Sequence, residues 1–195
     1  MRRRDILAGV CSLGAIGGAG ALAIRGPPSF GDGPSKTKTG NTDGAESTDT
    51  EPLTIKTIDA PGSEAGEIRV PASDQPTFID FFGTWCPPCI EQMPALAAAN
   101  DRIGDDVLFI SITSEAIGRS VTKAELVDWW EKHGGDWLLG LDPTAELTAQ
   151  YLAGGYPSAV SIDTSGRVQW SDTGVKTADE LVAGIEQALE AGTNA

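Results

Sequence analysis

The stretch Asp80-Phe81-Phe82-Gly83-Thr84-Trp85-Cys86-Pro87-Pro88-Cys89 decides how this chain is read. Residues 77–82 are a near-continuous apolar run, the pattern of a strand buried on both faces. Helical patterning then runs from about Cys86 to Arg102. A Cys-x-x-Cys pair where a strand gives way to a helix puts one sulfur at the first turn and the other one turn further in, within bonding reach. The partial positive charge and free amides of the helix start lower the pKa of the first cysteine. Cys86 is therefore the expected attacking thiolate, and Cys89 the thiol that resolves a mixed disulfide. Pro87 and Pro88 sit where missing amides cost a helix little. A zinc site needs a second ligand pair, and three cysteines with one histidine supply none. An inert disulfide closing so small a loop would stabilise little.

Outward from this stretch, strands and helices alternate. Leu53–Ile58 alternates as a strand, a Gly-rich turn spans Asp59 to Gly66, and Glu67–Val70 reads as a short strand. Downstream, 107–112 reads as a second buried strand. Residues 122–132 read as a helix with Thr122 as N-cap and Glu125 three residues on, and 137–141 as a short strand. A helix from Pro143 to Leu152 is expected to start after Asp142, which is taken as its cap rather than as a catalytic acid. Ser158–Ile162 and Arg167–Trp170 flank the turn Asp163–Gly166 as a hairpin, and a last helix covers about 178–190. This order predicts an α/β domain over 52–195, with a mixed central sheet and helices on both faces.

The N-terminus has another character. Arg2, Arg3 and Arg4 precede an apolar Gly/Ala-rich stretch from Ile6 to Ile24, so residues 1–25 read as a twin-arginine-like export signal or a membrane anchor. Cys11 falls inside that stretch and reads as an ordinary residue of it. Residues 26–51 are rich in Gly, Ser, Thr, Pro and Asp and read as a flexible linker. The chain carries 14 basic and 28 acidic residues, and beyond residue 25 the balance is 10 against 27. Such a surface repels nucleic acid and anionic lipid and resembles that of proteins from high-salt organisms.

The run Phe81-Phe82-Gly83-Thr84-Trp85-Cys86-Pro87-Pro88-Cys89-Ile90-Glu91-Gln92-Met93-Pro94 resembles the active-site stretch of TlpA-like thiol–disulfide oxidoreductases of the thioredoxin superfamily. Gly155-Tyr156-Pro157-Ser158 resembles that family's cis-proline loop, and the material between about 107 and 150 fits its strand–helix insertion. The resemblance implies a cis Pro157 close to the sulfurs, and backbone near Tyr156 that pairs with an extended substrate. It also implies Trp85 beside the disulfide, Pro87 and Pro88 at the docking surface, and Pro94 as a kink in the helix. Two positions depart from the usual pattern. Asp80 stands six residues before Cys86, where thioredoxins carry a buried aspartate and many TlpA-like proteins do not. Burial should raise its pKa and suit it to proton exchange with Cys89. Gln92 stands where several family members place a glutamate, and the adjacent Glu91 should point elsewhere.

The expected function is disulfide reduction or exchange in exported or membrane proteins, outside the cytoplasm. It requires no cofactor or metal, a monomer suffices, and the partners are disulfide-containing clients and a membrane thiol electron donor. Apocytochrome c is a client the family suggests. Prolines at 87 and 88 leave the Cys89 amide as the nearest donor to Cys86, which favours a reductant over a strong oxidant. Two alternatives are a thiol peroxidase, for which Thr84 is at hand but no local arginine, and a non-catalytic binding module. His133 reads as a helix-end surface residue, and Trp129, Trp130 and Trp137 as packing.

Overall fold

The computed structural model describes residues 51–151 and 155–193. The expected export signal or membrane anchor, Cys11 within it, and nearly all of the expected linker fall outside these residues. Strand β3 (Thr77–Phe82) is buried at every position, as its unbroken apolar run requires. It lies in a seven-stranded sheet of order β2-β1-β5-β4-β3-β6-β7. The flanking strands are β1 (Leu53–Thr57), β2 (Gly66–Val70), β4 (Leu108–Thr113), β5 (Leu138–Leu141), β6 (Ser158–Ile162) and β7 (Val168–Thr173). β3, β4 and β5 are parallel, while β1, β2, β6 and β7 pair antiparallel, so the sheet is mixed.

Alternation along β3 divides the core between two faces. Phe78 and Phe82 point into one cluster with Met93 and Leu96 of α1 (Pro87–Ile103), Leu126 and Trp130 of α2 (Lys123–Lys132), and Leu181 and Ile185 of α4 (Ala178–Thr193). Ile79 and Phe81 point the other way, against Leu147 and Tyr151 of α3 (Glu146–Tyr151). Helices therefore cover both faces. The inserted material makes α2 and places β5 between β1 and β4. Thr122 caps α2 in the expected box: its hydroxyl accepts from the Glu125 amide, and the Glu125 carboxylate accepts from the Thr122 amide.

Among the boundaries that differ from expectation, two have a visible cause. α3 begins at Glu146, not at Pro143. Ala145 adopts a left-handed conformation (φ 55°) and its amide closes a turn onto Asp142, so the helix cannot run back to the proline. Asp142 still caps it, accepting from the amides of Glu146 and Thr148 and from the Thr148 hydroxyl. β7 continues to Thr173, three residues past Trp170, because Ser171, Asp172 and Thr173 pair with Val160, Ala159 and Ser158.

Candidate active site

Cys86 is the N-cap of α1, with Pro87 and Pro88 in the first two helical positions. It is bonded to Cys89, and the two Cα atoms are 5.3 Å apart. The Cys89 amide donates to Cys86 Sγ at 3.2 Å, the donor expected once the two prolines have removed theirs. Upstream, the Cys86 amide donates to the Gly83 carbonyl at 3.1 Å and closes a four-residue turn from the end of β3 into the helix. Both cysteines are nearly buried in the disulfide form, 3% and 1% exposed, whereas Pro87, Pro88 and Ile90 beside them are exposed.

The Tyr156–Pro157 peptide is cis, as the resemblance implied. Ser158 pairs with Phe81, so this loop lies at the same sheet edge as the turn into α1. Trp85 is 66% exposed, and its indole meets the half-buried Tyr156 ring edge-on at 5.7 Å. The indole folds over Gly83, where a β-carbon would stand 2.8 Å from the ring. The Pro157 carbonyl accepts from the Gly174 amide beyond β7, and the Lys176 amide in turn donates to Gln92 Oε1 of α1. Gln92 is buried and Glu91 exposed, as their helix positions required. Gln92 thus links the disulfide helix to the segment that holds the cis-proline loop.

Beneath this surface, Asp80 shares its face of β3 with Phe78 and Phe82, the face packed against α1 and both cysteines. It is 1% exposed, and burial pushes its pKa up to about 7. A hydrogen bond from Ser111 Oγ (2.9 Å) opposes the rise, and Trp137 Nε1 donates to the same hydroxyl at 2.9 Å. The expected raised pKa is present; Ser111 and Trp137 were not anticipated. The third group not anticipated is Glu115, beyond β4. It accepts from the amide and hydroxyl of Thr84, two residues before Cys86. The parallel pairing of β3 with β4 brings the exits of both strands to one edge.

Other residues singled out in the sequence lie elsewhere. His133 caps the end of α2 with its ring on Trp129. Burial and the neighbouring Lys132 hold its pKa below the usual value, so it favours the neutral ring rather than a cation at the helix end. Trp130 and Trp137 are core residues packed edge-on at 4.9 Å, and Trp129 stacks on Phe82 at 5.1 Å. Among the described residues, no cluster of His, Cys, Asp or Glu is arranged to hold a metal.

A bond that joins two cysteines across the start of a helix, at an edge rimmed by exposed apolar side chains and on the sheet face that carries a buried carboxyl, suits exchange with an outside disulfide. That places the protein among the thiol–disulfide oxidoreductases of the thioredoxin fold. The chain belongs to the redoxin family, whose model matches residues 66–189. It is similar to sporulation thiol-disulfide oxidoreductase A of Bacillus subtilis, with 23% identity over 124 residues, 64% of this chain and 74% of that protein. It is also similar to thiol-disulfide oxidoreductase ResA of Geobacillus thermodenitrificans, with 25% identity over 112 residues. That match spans 56% of this chain and 60% of ResA. The crystal structure of StoA from Bacillus subtilis superposes with a TM-score of 0.58 at 22% identity, covering 71% of this chain and 98% of that one. A secreted Mycobacterium tuberculosis disulfide oxidoreductase gives 0.56 at 18% identity, covering 69% and 94%. At these identities the two structures establish the fold.

Proposed function

We propose that this protein reduces or exchanges disulfides in exported or membrane proteins outside the cytoplasm. The observation that carries the reading is the Cys86–Cys89 disulfide at the N-cap of α1, at the same edge as the cis Pro157 loop. In the reduced protein the Cys86 thiolate attacks one sulfur of a client disulfide. The client's S–S bond breaks, its second sulfur leaves as a thiolate, and a mixed disulfide joins Cys86 to the client. Cys89, having given its proton to Asp80, then attacks Cys86 and releases the client as a dithiol. The chain has lost two electrons and holds its own disulfide, which a membrane thiol donor reduces again. Trp85, Pro87, Pro88, Tyr156 and Pro157 form the surface on which the client segment lies.

Only the Cys89 amide approaches Cys86 Sγ from the helix, and this modest stabilisation of a thiolate favours a reductant. The basic and apolar N-terminus acts as an export signal or anchor, and residues 26–51 as a tether. Peroxide chemistry is less well served: Thr84, the nearby hydroxyl, already donates to Glu115.

The test is capture in intact cell envelopes. Cys89→Ser is expected to accumulate disulfide-linked exported proteins, apocytochrome c being one client to seek, and Cys86→Ser to accumulate none. Equal capture by both variants, or capture of cytoplasmic proteins alone, would count against the proposal.

A further inference from the structure

Thr113 ends β4, and Ser114 and Glu115 just beyond it bond to the two loops that flank the disulfide. Phe82 pairs with Thr113 in the parallel β3–β4 ladder, so the residues following each strand emerge side by side. Glu115 is only 9% exposed, and donors occupy both of its oxygens. Oε2 accepts from the Thr84 amide at 2.7 Å and from Thr113 Oγ1 at 3.2 Å, and Oε1 accepts from Thr84 Oγ1 at 2.8 Å. Thr113 Oγ1 also accepts from the Glu115 amide at 3.2 Å, which ties the residue at backbone and side chain alike.

A buried carboxylate is a weak source of stability, because desolvation offsets much of what its bonds supply. Charge-assisted bonds to the amide and hydroxyl of one loop residue do supply geometry. Thr84 is the second residue of the Gly83–Cys86 turn, followed by Trp85 and the sulfur-bearing Cys86. The adjacent Ser114 shares a 3.0 Å hydrogen bond with the Tyr156 hydroxyl, and Tyr156 meets Trp85 edge-on. One short segment therefore holds both walls of the surface over the disulfide: the cysteine loop through Glu115, and the cis-proline loop through Ser114.

We propose that Glu115 is a positioning residue of the redox site. Through Thr84 it holds the Gly83–Cys86 turn against the Ser114–Tyr156 side, so that the slot between Trp85 and the cis-proline loop admits a protein disulfide within reach of Cys86. The inference rests on Cys86 being the attacking sulfur.

The experiment uses the full chain and two probes: insulin, a protein disulfide that must dock, and DTNB, a small disulfide that need not. Glu115→Gln and Thr84→Val are expected to lower kcat/KM for insulin about tenfold, the factor carried by one charge-assisted hydrogen bond at the low end of its range. The loss should appear in KM. The DTNB rate should change by less than about twofold, because uniform docking interactions leave the chemical step alone. Thr84→Ser keeps the hydroxyl and should match wild type. Thr84→Val removes one bond and leaves the amide contact, which guards against misreading a folding defect. Wild-type insulin kinetics in both variants, or equal losses on both probes, would overturn the inference. A wild-type protein inert towards both disulfides would remove the redox reading itself, and this inference with it.

Discussion

Cys86→Ser is expected to abolish disulfide reduction, by on the order of a thousandfold or more, because a serine hydroxyl cannot replace a thiolate at neutral pH. Cys89→Ser is expected to keep the first attack and stop there, with one client molecule held per chain. The asymmetry comes from position rather than exposure, since both cysteines are nearly buried in the disulfide form. Cys86 precedes the first helical turn, between the exposed Trp85 and the exposed Pro87, and its sulfur receives the Cys89 amide. Cys89 lies within α1 among the residues that face the core. Single-turnover reaction of each reduced variant with insulin, followed by mass analysis, checks this. A Cys86→Ser protein that reduces insulin at the wild-type rate would contradict it.

Asp80→Asn is expected to make the protein more stable above pH 7 while slowing release of the mixed disulfide. The carboxyl titrates at about 7 in the fold against 3.8 as its ordinary value. Below about pH 4 it is protonated in folded and unfolded chains alike, and ionisation costs the fold nothing. As pH rises from 4 to 7, the unfolded chain loses this proton first, and stability falls. Above 7 the folded carboxylate is also charged and the loss is complete, at about 4 kcal/mol for a displacement of this size. That is a large share of the roughly 5–15 kcal/mol that holds a typical domain together. Asparagine carries no charge and can still accept from Ser111, so its advantage should be largest near pH 8 and vanish near pH 4. Ser111→Ala should act in the opposite sense to Asp80→Asn. It removes the bond that lowers the Asp80 pKa, so the fall in stability should extend to higher pH. Denaturant titrations at several pH values read both effects. Identical pH dependence in Asp80→Asn and wild type would contradict the assignment.

What the sequence disclosed follows the range of the forces involved. β3, α1 and the two cysteines were legible because an apolar run and a Cys-x-x-Cys spacing are local patterns, and Asp80 stood out as a charge within that run. The cis Pro157 was legible only through resemblance, since nothing local separates it from a trans proline in a turn. The start of α3 was misplaced because Pro143 and Asp142 signal a helix start, while the left-handed Ala145 that delays it carries no signal of its own. The end of β7 was missed because Ser171, Asp172 and Thr173 lie exposed on an edge strand and show no apolar alternation. Glu115, Ser111 and Trp137 were illegible as site residues because their partners are distant in sequence. Thr84 and Glu115 are 31 positions apart, as are Asp80 and Ser111. Only the parallel pairing of β3 with β4 brings them together.

The most direct test of the central claim is a redox titration of the full chain in glutathione buffers, with free thiols alkylated and located by mass. Cys86 and Cys89 are expected to change together, in one two-electron transition, from no label to two labels. A pair that remains bonded under strongly reducing buffer, or that titrates as two independent thiols, would contradict the assignment of Cys86 and Cys89 as a reversible redox couple.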